Sequence, residues 1–208
     1  MKLSLLFVIT FLIATSCCKS EFKGELKFSK EDLAVNPYTG IEEIRFVDDT
    51  GKIILYNNGL RSVIESDYQE HQGIACSDYF VIQEEDKTTF HCSDPKSLIT
   101  ISIVNKTNPF TTQRVSPDLR ITWENSTTSP AIIQYFADIP VDSLRKSIGE
   151  SNIFRDTLKL RDRRFRNVFV FPGQRDYINT DNRDTLYFSM NSGLIALKFV
   201  NGKLWVVQ

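Results

Sequence analysis

The stretch Leu194–Val207, LIALKFVNGKLWVV, decides the fold class of this 208-residue chain. Two strand-like runs flank Asn201-Gly202, and an Asn-Gly pair in that position is the strongest short signal for a β-hairpin. Similar short apolar or alternating runs, separated by turn residues, fill the last third of the chain: FRDTLKL, FRNVFVF and DTLYFSM. Earlier runs are separated by DDTG and NNG, which also predict hairpins: IEEIRFV, KIILY and LRSVI. About a dozen such strands predict an all-β, antiparallel fold, as a sandwich or a barrel-like sheet.

Two short helices are predicted among the strands. Ser29 and Asp32 in SKED have the spacing of a capping box, in which each residue satisfies a free backbone N–H at the start of a helix. Residues 138–152 are the best place for the second helix, with Asp142 as its N-cap and Gly149 near its end.

One late run, NVFVF, is apolar on both faces of a strand. Val168 and Val170 point one way, and Phe169 and Phe171 point the other. A half-solvated strand would alternate with polar residues. Packing of a second layer is the simpler explanation, and an apolar cavity is the alternative.

The N-terminus has the three parts of a signal peptide. Lys2 precedes an apolar region, Leu3–Ile13, and the small residues Ala14–Ser16 suit a cleavage site. The apolar region is too short for a membrane-spanning helix, which needs about 20 residues. The sequence therefore predicts a signal peptide (1–16), a tether (17–23) and a single β domain (24–208).

Cys17 is the predicted lipid attachment site. The stretch LIATSC resembles a bacterial lipobox, in which a small residue precedes the lipidated cysteine, although Ala14 replaces the usual Leu. The protein is then an outer-membrane lipoprotein, on the periplasmic or the surface side, that contacts the membrane through its N-terminal lipid. Ordinary cleavage and secretion is the alternative, and Cys18 has no predicted role.

Cys76 and Cys92 are predicted to form a disulfide in an oxidising compartment. In ACSDYFVIQEEDKTTFHC two strand-like runs flank EEDK, a plausible turn, so both cysteines would lie near the open end of one hairpin. The bridge would close a loop of about 15 residues. Two buried free thiols are the alternative.

Most catalytic and metal-binding motifs are missing from the sequence. His71 and His91 are the only histidines, and their spacing from the cysteines is not that of a zinc site. Hydrolase, phosphate-loop and metalloprotease signatures are absent as well. We therefore predict a non-enzymatic protein with no metal and no cofactor. A net charge of −1 gives no reason to expect nucleic acid as a partner.

The turn RDRRFR contains four arginines, Arg161, Arg163, Arg164 and Arg166. A solvated hairpin tip is the simpler interpretation, with Asp162 offsetting part of the charge. The alternative is an anion-binding turn for phosphate, lipopolysaccharide or carboxylate groups.

Three stretches of the chain resemble a family of small lipoproteins of Bacteroidota. These are FSKEDLAVNPYTGIEEIRFVDDTGKIILY, FRDTLKLRDRRFRNVFVF and TLYFSMNSGLIALKFVNGKLWVV. The resemblance implies a β-rich envelope lipoprotein and carries no known activity. We expect a non-enzymatic binding or scaffolding role. A carrier of lipids or other hydrophobic ligands, and an envelope hydrolase with dispersed site residues, are the alternatives.

Overall fold

The computed structural model of the chain describes residues 21–72, 77–105, 116–125, 132–149, 152–175 and 184–208. The described residues form thirteen strands and two short helices. The strands are β1 (Glu21–Leu26), β2 (Ile44–Val47), β3 (Ile53–Gln72), β4 (Ser77–Ser93), β5 (Lys96–Val104), β6 (Asp118–Asn125), β7 (Ile132–Pro140), β8 (Phe154–Leu160), β9 (Arg163–Pro172), β10 (Gln174–Arg175), β11 (Thr185–Ser189), β12 (Gly193–Lys198) and β13 (Leu204–Val207). The helices are α1 (Lys30–Leu33) and α2 (Val141–Lys146).

One sheet contains these strands and curls into a half-barrel. The strand order is β10-β7-β6-β5-β4-β3-β2-β13-β12-β11-β9-β8, and β1 pairs with β4 outside this series. Within the described residues, β1 and β4 are the only parallel pair. The predicted antiparallel all-β fold with short helices is confirmed, in its barrel-like form.

Two of the predicted turns form as expected. Asn201-Gly202 connects β12 to β13, with Gly202 at a φ of 84° and the Phe199 N–H donating to the Lys203 carbonyl at 2.8 Å. DDTG connects β2 to β3 in the same way, with the Asp48 N–H donating to the Lys52 carbonyl at 3.0 Å. Both turns depend only on local backbone preferences, which the residues themselves supply.

The predicted hairpin at NNG is wrong, because β3 runs through it as one strand of 20 residues. Asn57 pairs with His91 and Leu60 pairs with Thr89, so one extra residue forms a β-bulge. Asn58 has a φ of 55°, in the left-handed region that asparagine tolerates. Up to Tyr56 β3 pairs with β2, and from Asn57 onward it pairs with β4. The bulge is therefore where β3 passes from one half of the sheet to the other.

The half-barrel encloses a core of aromatic and branched side chains. Its largest fully buried members include Tyr56, Phe46, Phe90, Phe169, Phe171 and Phe188. The Tyr56 hydroxyl shares a 2.7 Å hydrogen bond with the Ser97 hydroxyl and accepts one from Trp123 Nε1 at 3.2 Å. Phe169 and Phe171 of NVFVF pack in this core, Val168 is buried, and Val170 is half-buried.

Strand β12 is buried on both faces, which accounts for its unbroken apolar run. Leu197 belongs to the barrel core, whereas its neighbour Ala196 belongs to a second apolar cluster on the outer face. Phe165 packs in that outer cluster and Phe169 in the core, although residues four apart share a face in a regular strand. Asn167, between them, has a φ of 53°. The two faces of the β8–β9 hairpin therefore exchange at Asn167, and the tip of the hairpin packs against the outer face of β12.

Both predicted helices exist, but only one begins as expected. In α1 the Asp32 N–H donates to Ser29 Oγ at 3.1 Å and the Ser29 N–H donates to Asp32 Oδ2 at 3.0 Å, which confirms the capping box. Asp142 is not the N-cap of α2, because Pro140 occupies that position without a side-chain cap. The Asp142 N–H instead donates to Ser116 Oγ at 3.0 Å, so a residue distant in sequence satisfies this helix end.

The first described strand begins earlier than the predicted domain boundary. β1 starts at Glu21, so residues 21–23 belong to a strand and not to a tether. The predicted signal peptide (1–16), Cys17 and Cys18 lie outside the described residues.

Candidate functional site

The longest hairpin of the sheet extends from the half-barrel as a three-stranded arm. We define the arm as β1 together with residues 61–72 of β3 and 77–88 of β4. The five successive residues Val63–Asp67 are all exposed. A strand in the wall of a barrel buries every second side chain. Both faces of the arm therefore contact solvent at these positions.

One edge of the arm has no strand partner within the described residues. β4 pairs with Asn57–Gln72 on one side of β3, whereas β2 pairs only with Ile53–Tyr56 on the other. The Gly59 N–H donates to the Glu42 carbonyl at 3.3 Å, and beyond Arg61 the described chain provides no further backbone partner on this side. Such an edge presents a row of backbone N–H and C=O groups that can pair with another strand.

An ion pair at the base of the arm attaches it to the segment that precedes β2. Arg61 Nε donates to Asp86 Oδ1 at 2.7 Å, and the same guanidinium donates to the carbonyl oxygens of Tyr38 and Leu33. Asn36 Nδ2 donates to Asp86 Oδ2 at 3.1 Å. Asp86 is fully buried, so these donors satisfy a carboxylate that water does not reach. Arg61 and Asp86 thus orient the arm and do not present charge to a ligand.

The loop beside this ion pair is organised by Glu42. Its carboxylate accepts hydrogen bonds from the Thr39 N–H at 2.6 Å, the Thr39 hydroxyl at 2.6 Å and the Gly40 N–H at 2.8 Å. Burial opposes ionisation of the carboxyl, but the hydrogen bonds outweigh it and lower the pKa of Glu42 to about 2. A Cβ at Gly40 would lie 2.9 Å from Arg61 Cβ, so this loop packs directly on the arm.

Exposed apolar side chains are concentrated on and beside the arm. Of the eight large hydrophobic side chains that are exposed in the described chain, five lie here, namely Phe22, Ile41, Leu60, Val63 and Ile64. Val63 is 56% exposed and Ile64 45% exposed, and as sequence neighbours in a strand they occupy opposite faces. Exposed apolar residues that are gathered in one region of a protein indicate an interaction site more often than scattered ones do.

The arm is acidic as well as partly apolar. Residues 60–87 contain seven acidic and two basic residues. Arg61 and Asp86 neutralise each other at the base of the arm. Glu65 and Asp67 are exposed, and their spacing of two residues places them on the same face of β3.

The four arginines of the predicted anion-binding turn do not form one site. Arg161 donates to two backbone carbonyl oxygens and to Asp49 Oδ1, the last at 2.9 Å. Arg163 donates to a third backbone carbonyl at 2.8 Å. These two side chains hold the β8–β9 tip against the sheet. Arg164 and Arg166 are exposed, and for them anion binding stays a prediction.

The hairpin that was expected to carry the disulfide does not exist. EEDK lies inside β4, and so the predicted turn is wrong. Cys76 lies outside the described residues, and Cys92 has a buried free thiol. Ser77 and Cys92 are 15 residues apart in the same strand, which corresponds to about 50 Å of extended chain. For Cys92 the structure therefore agrees with the alternative of a free buried thiol.

A cleft of about 580 Å³ lies beside the bulge, and its lining includes Asn57, His91, Cys92 and Lys96. Burial raises the pKa of the Cys92 thiol. His91 is exposed while Cys92 is buried, because neighbouring residues of a strand face opposite sides. A catalytic cysteine needs a lowered pKa and a base within reach. Cys92 and His91 therefore do not make a nucleophile and base.

A second cleft of about 350 Å³ lies between α1 and α2. Arg145 Nη1 lies 3.6 Å from Asp32 Oδ1 and 3.5 Å from Asp142 Oδ1. Two carboxylates in one cleft are what the hydrolase alternative requires. Here both form ion pairs with the same arginine.

No protein-family model, curated protein or solved structure matches the chain. Within the residues that the structure describes, no group of three His, Cys, Asp or Glu side chains could hold a metal ion. In the same part of the chain, no helix is long and apolar enough to cross a membrane.

The arm is the feature that the sequence did not predict. NNG and EEDK both indicated turns where the structure has continuous strand. One signal was available, because residues 60–72 and 77–93 contain neither Gly nor Pro. Long stretches without these residues favour uninterrupted strands over a series of short hairpins.

Proposed function

We propose that the chain is a lipid-anchored, non-enzymatic binding protein of the bacterial cell envelope, and that the arm is its recognition element. The signal-like N-terminus, the LIATSC stretch and the resemblance to Bacteroidota lipoproteins support the location. The observation that supports recognition is the exposure of Val63–Asp67 on both faces beside an edge without a strand partner in the described chain. Exposed strand edges with exposed apolar side chains nearby are typical of binding surfaces.

The path of β1 relates the proposed anchor to the arm. Glu21 lies opposite Tyr79, near the start of β4, so the chain enters the arm at the end far from the half-barrel. Only residues 18–20 separate Glu21 from Cys17. A lipid on Cys17 would hold this end within about 15 Å of the bilayer, which is the reach of four extended residues. The arm would then stand between the membrane and the half-barrel.

The anchor is tested by the intact mass of the protein isolated from host membranes. We expect a chain that begins at Cys17 and carries diacylglyceryl and N-acyl groups. The matched sample is a Cys17→Ser chain, which should be recovered without lipid. An unmodified Cys17 in the parent protein would contradict anchoring and would favour secretion.

The recognition role is tested by photo-crosslinking in living cells. A photoreactive residue at Val63 should give a discrete adduct with another protein. Val200 is 41% exposed and lies on the hairpin between β12 and β13, so the same residue there serves as a control and should give no adduct. Equal adduct formation at both positions, or none at Val63, would count against recognition by the arm.

A further inference from the structure

We propose that the free edge of the arm binds a basic segment of a partner protein as an added β-strand. The inference rests on the proposed function, because it names the chemistry of the partner that the arm would recognise. Strand addition needs an accessible row of backbone N–H and C=O groups for affinity. It also needs side chains beside that row that select one sequence over another.

The edge lacks several of the features that usually keep exposed strands from pairing. Such features include lysine, proline, a bulge, a very short strand and other charged side chains, and of these only the acids Glu65 and Asp67 are present. Residues 62–67, SVIESD, contain no lysine, proline or glycine, and the bulge at Asn58 precedes them. Both faces of this stretch are exposed, so a strand laid along the edge meets no wall of the half-barrel. Among the described residues, no strand pairs with the backbone on this side of residues 62–67.

Glu65 and Asp67 select a basic partner. Both acids lie on one face, about 7 Å apart along the strand. Residues of an added strand that lie opposite them form favourable cross-strand pairs when basic and unfavourable pairs when acidic. Val63 continues the same face and favours an apolar residue opposite it, as Ile64 does on the other face.

A second copy of this chain fits the edge less well than a basic strand. Antiparallel pairing of two copies about Ser66 would place Glu65 of one copy opposite Asp67 of the other. Like charges directly opposite each other destabilise a strand pair. Charge complementarity therefore favours a foreign basic segment.

The complementary strand can be written down position by position. The added strand runs antiparallel to β3. Its residues opposite positions 67, 66, 65, 64, 63 and 62 are Lys, Thr, Lys, Val, Val and Thr, in that order. The probe is a fluorescein-labelled octapeptide, TKTKVVTS, and the first control is TETEVVTS. A second control is TKTKVVTS with N-methyl groups on alternate residues, which keeps the charge and removes backbone donors on one edge. Fluorescence anisotropy with the full chain in detergent measures binding of each peptide.

We expect TKTKVVTS to bind and both control peptides not to bind. The Glu65→Lys/Asp67→Lys variant should weaken binding of TKTKVVTS by about ten-fold, because two attractive cross-strand pairs become repulsive. Asp156→Lys reverses an exposed acid on β8, another edge strand, and should leave binding unchanged. The milder Glu65→Gln/Asp67→Asn variant should weaken binding less than the charge reversal. Hydrogen exchange should slow at residues 62–67 only when TKTKVVTS is present.

Four results would overturn the proposal. Equal binding of the N-methylated peptide would show attraction of charge without strand addition. Equal weakening by Asp156→Lys would place the contact elsewhere. Dimerisation through residues 62–67 that excludes the peptide would identify a second copy as the occupant. A Val63 adduct in cells without peptide binding would overturn the basic-strand proposal alone, whereas absence of both would also count against recognition by the arm.

Discussion

Arg61 and Asp86 form a bidentate ion pair across β3 and β4. Arg61 Nε lies 2.7 Å from Asp86 Oδ1, and Arg61 Nη2 lies 2.9 Å from Asp86 Oδ2. The Asp86 side chain is fully buried and the Arg61 side chain is 22% exposed. Planar two-point pairing fixes the relative orientation of both strands more tightly than a single contact would. The arm therefore leaves the half-barrel in a defined direction.

Asp86→Asn should destabilise the protein by about 3 kcal/mol, because it leaves a partly buried guanidinium without its counter-charge. The amide nitrogen of the new residue would also face a donor, Asn36 Nδ2. Urea unfolding followed by tryptophan fluorescence measures the change. The matched control is Asp94→Asn, which removes an exposed ion pair with Lys52 and should cost less than about 1 kcal/mol. Equal losses for both variants would show that the buried pair contributes little.

Arg161→Lys should destabilise the protein by about 1–2 kcal/mol, because one ammonium group cannot replace three separate contacts. The guanidinium reaches the Val47 carbonyl at 3.1 Å, the Leu204 carbonyl at 2.6 Å and Asp49 Oδ1 at 2.9 Å. Arg164→Lys changes an exposed arginine of the same hairpin and should stay within about 0.5 kcal/mol of the parent. Thermal unfolding of the two variants gives the comparison. A larger loss for Arg164→Lys would reverse the roles assigned to these side chains.

Ionisation of the Glu42 carboxyl group should make the free energy of unfolding depend on pH. Its folded pKa is lowered from 4.5 to about 2, so its ionised form stabilises the fold above pH 4.5, and this contribution is lost as the pH falls towards 2. The difference in unfolding free energy between the parent and Glu42→Gln should therefore be largest at neutral pH and shrink below pH 4.5. Glu43→Gln removes the exposed pair with Arg45 and controls for the loss of one surface charge. A difference that does not vary between pH 7 and pH 2.5 would contradict the assignment.

The thiol of Cys92 should resist alkylation in the folded protein. Burial limits access to the side chain and raises the pKa of the Cys92 thiol, and the thiolate is the reactive form. Peptide mapping after native and then denaturing treatment with iodoacetamide should find Cys92 modified only in the second step. A Cys92→Ala/Ser93→Cys chain places a thiol at the exposed neighbouring position, and it should react in the first step. Recovery of a peptide that links Cys76 to Cys92 would restore the disulfide prediction.

Features that depend on neighbouring residues were predictable from the sequence. Asn201-Gly202 specifies its turn by backbone preference, and Ser29 with Asp32 specifies the start of α1 by reciprocal hydrogen bonds. The abundance of short strands also sufficed for the fold class.

Features that depend on distant partners were not predictable. Asp86 looked like part of a turn because charged residues favour solvent, and its burial depends on Arg61, which is 25 residues away. Asn58 favours a turn locally, but the pairing of Asn57 with His91 and Leu60 with Thr89 converts it into a bulge. The sequence suggested that Arg161 is solvated, but in the folded protein its side chain contacts the ends of other strands. In each case the deciding contact joins parts of the chain that no local pattern connects.

The bulge at Asn58 also determines on which face of the sheet each later side chain of β3 lies. Side chains of a strand alternate with a period of two, so Asn57 and Leu60 would lie on opposite faces of a regular strand, whereas their partners His91 and Thr89 share one face. Without the bulge, the same sequence would exchange the two faces of the whole arm. Arg61 would then point away from Asp86, and Glu65 would lie on the face that Ile64 now occupies. Substitutions within the arm change one position at a time, whereas the backbone conformation at Asn58, outside the arm, determines which side chains share each of its faces.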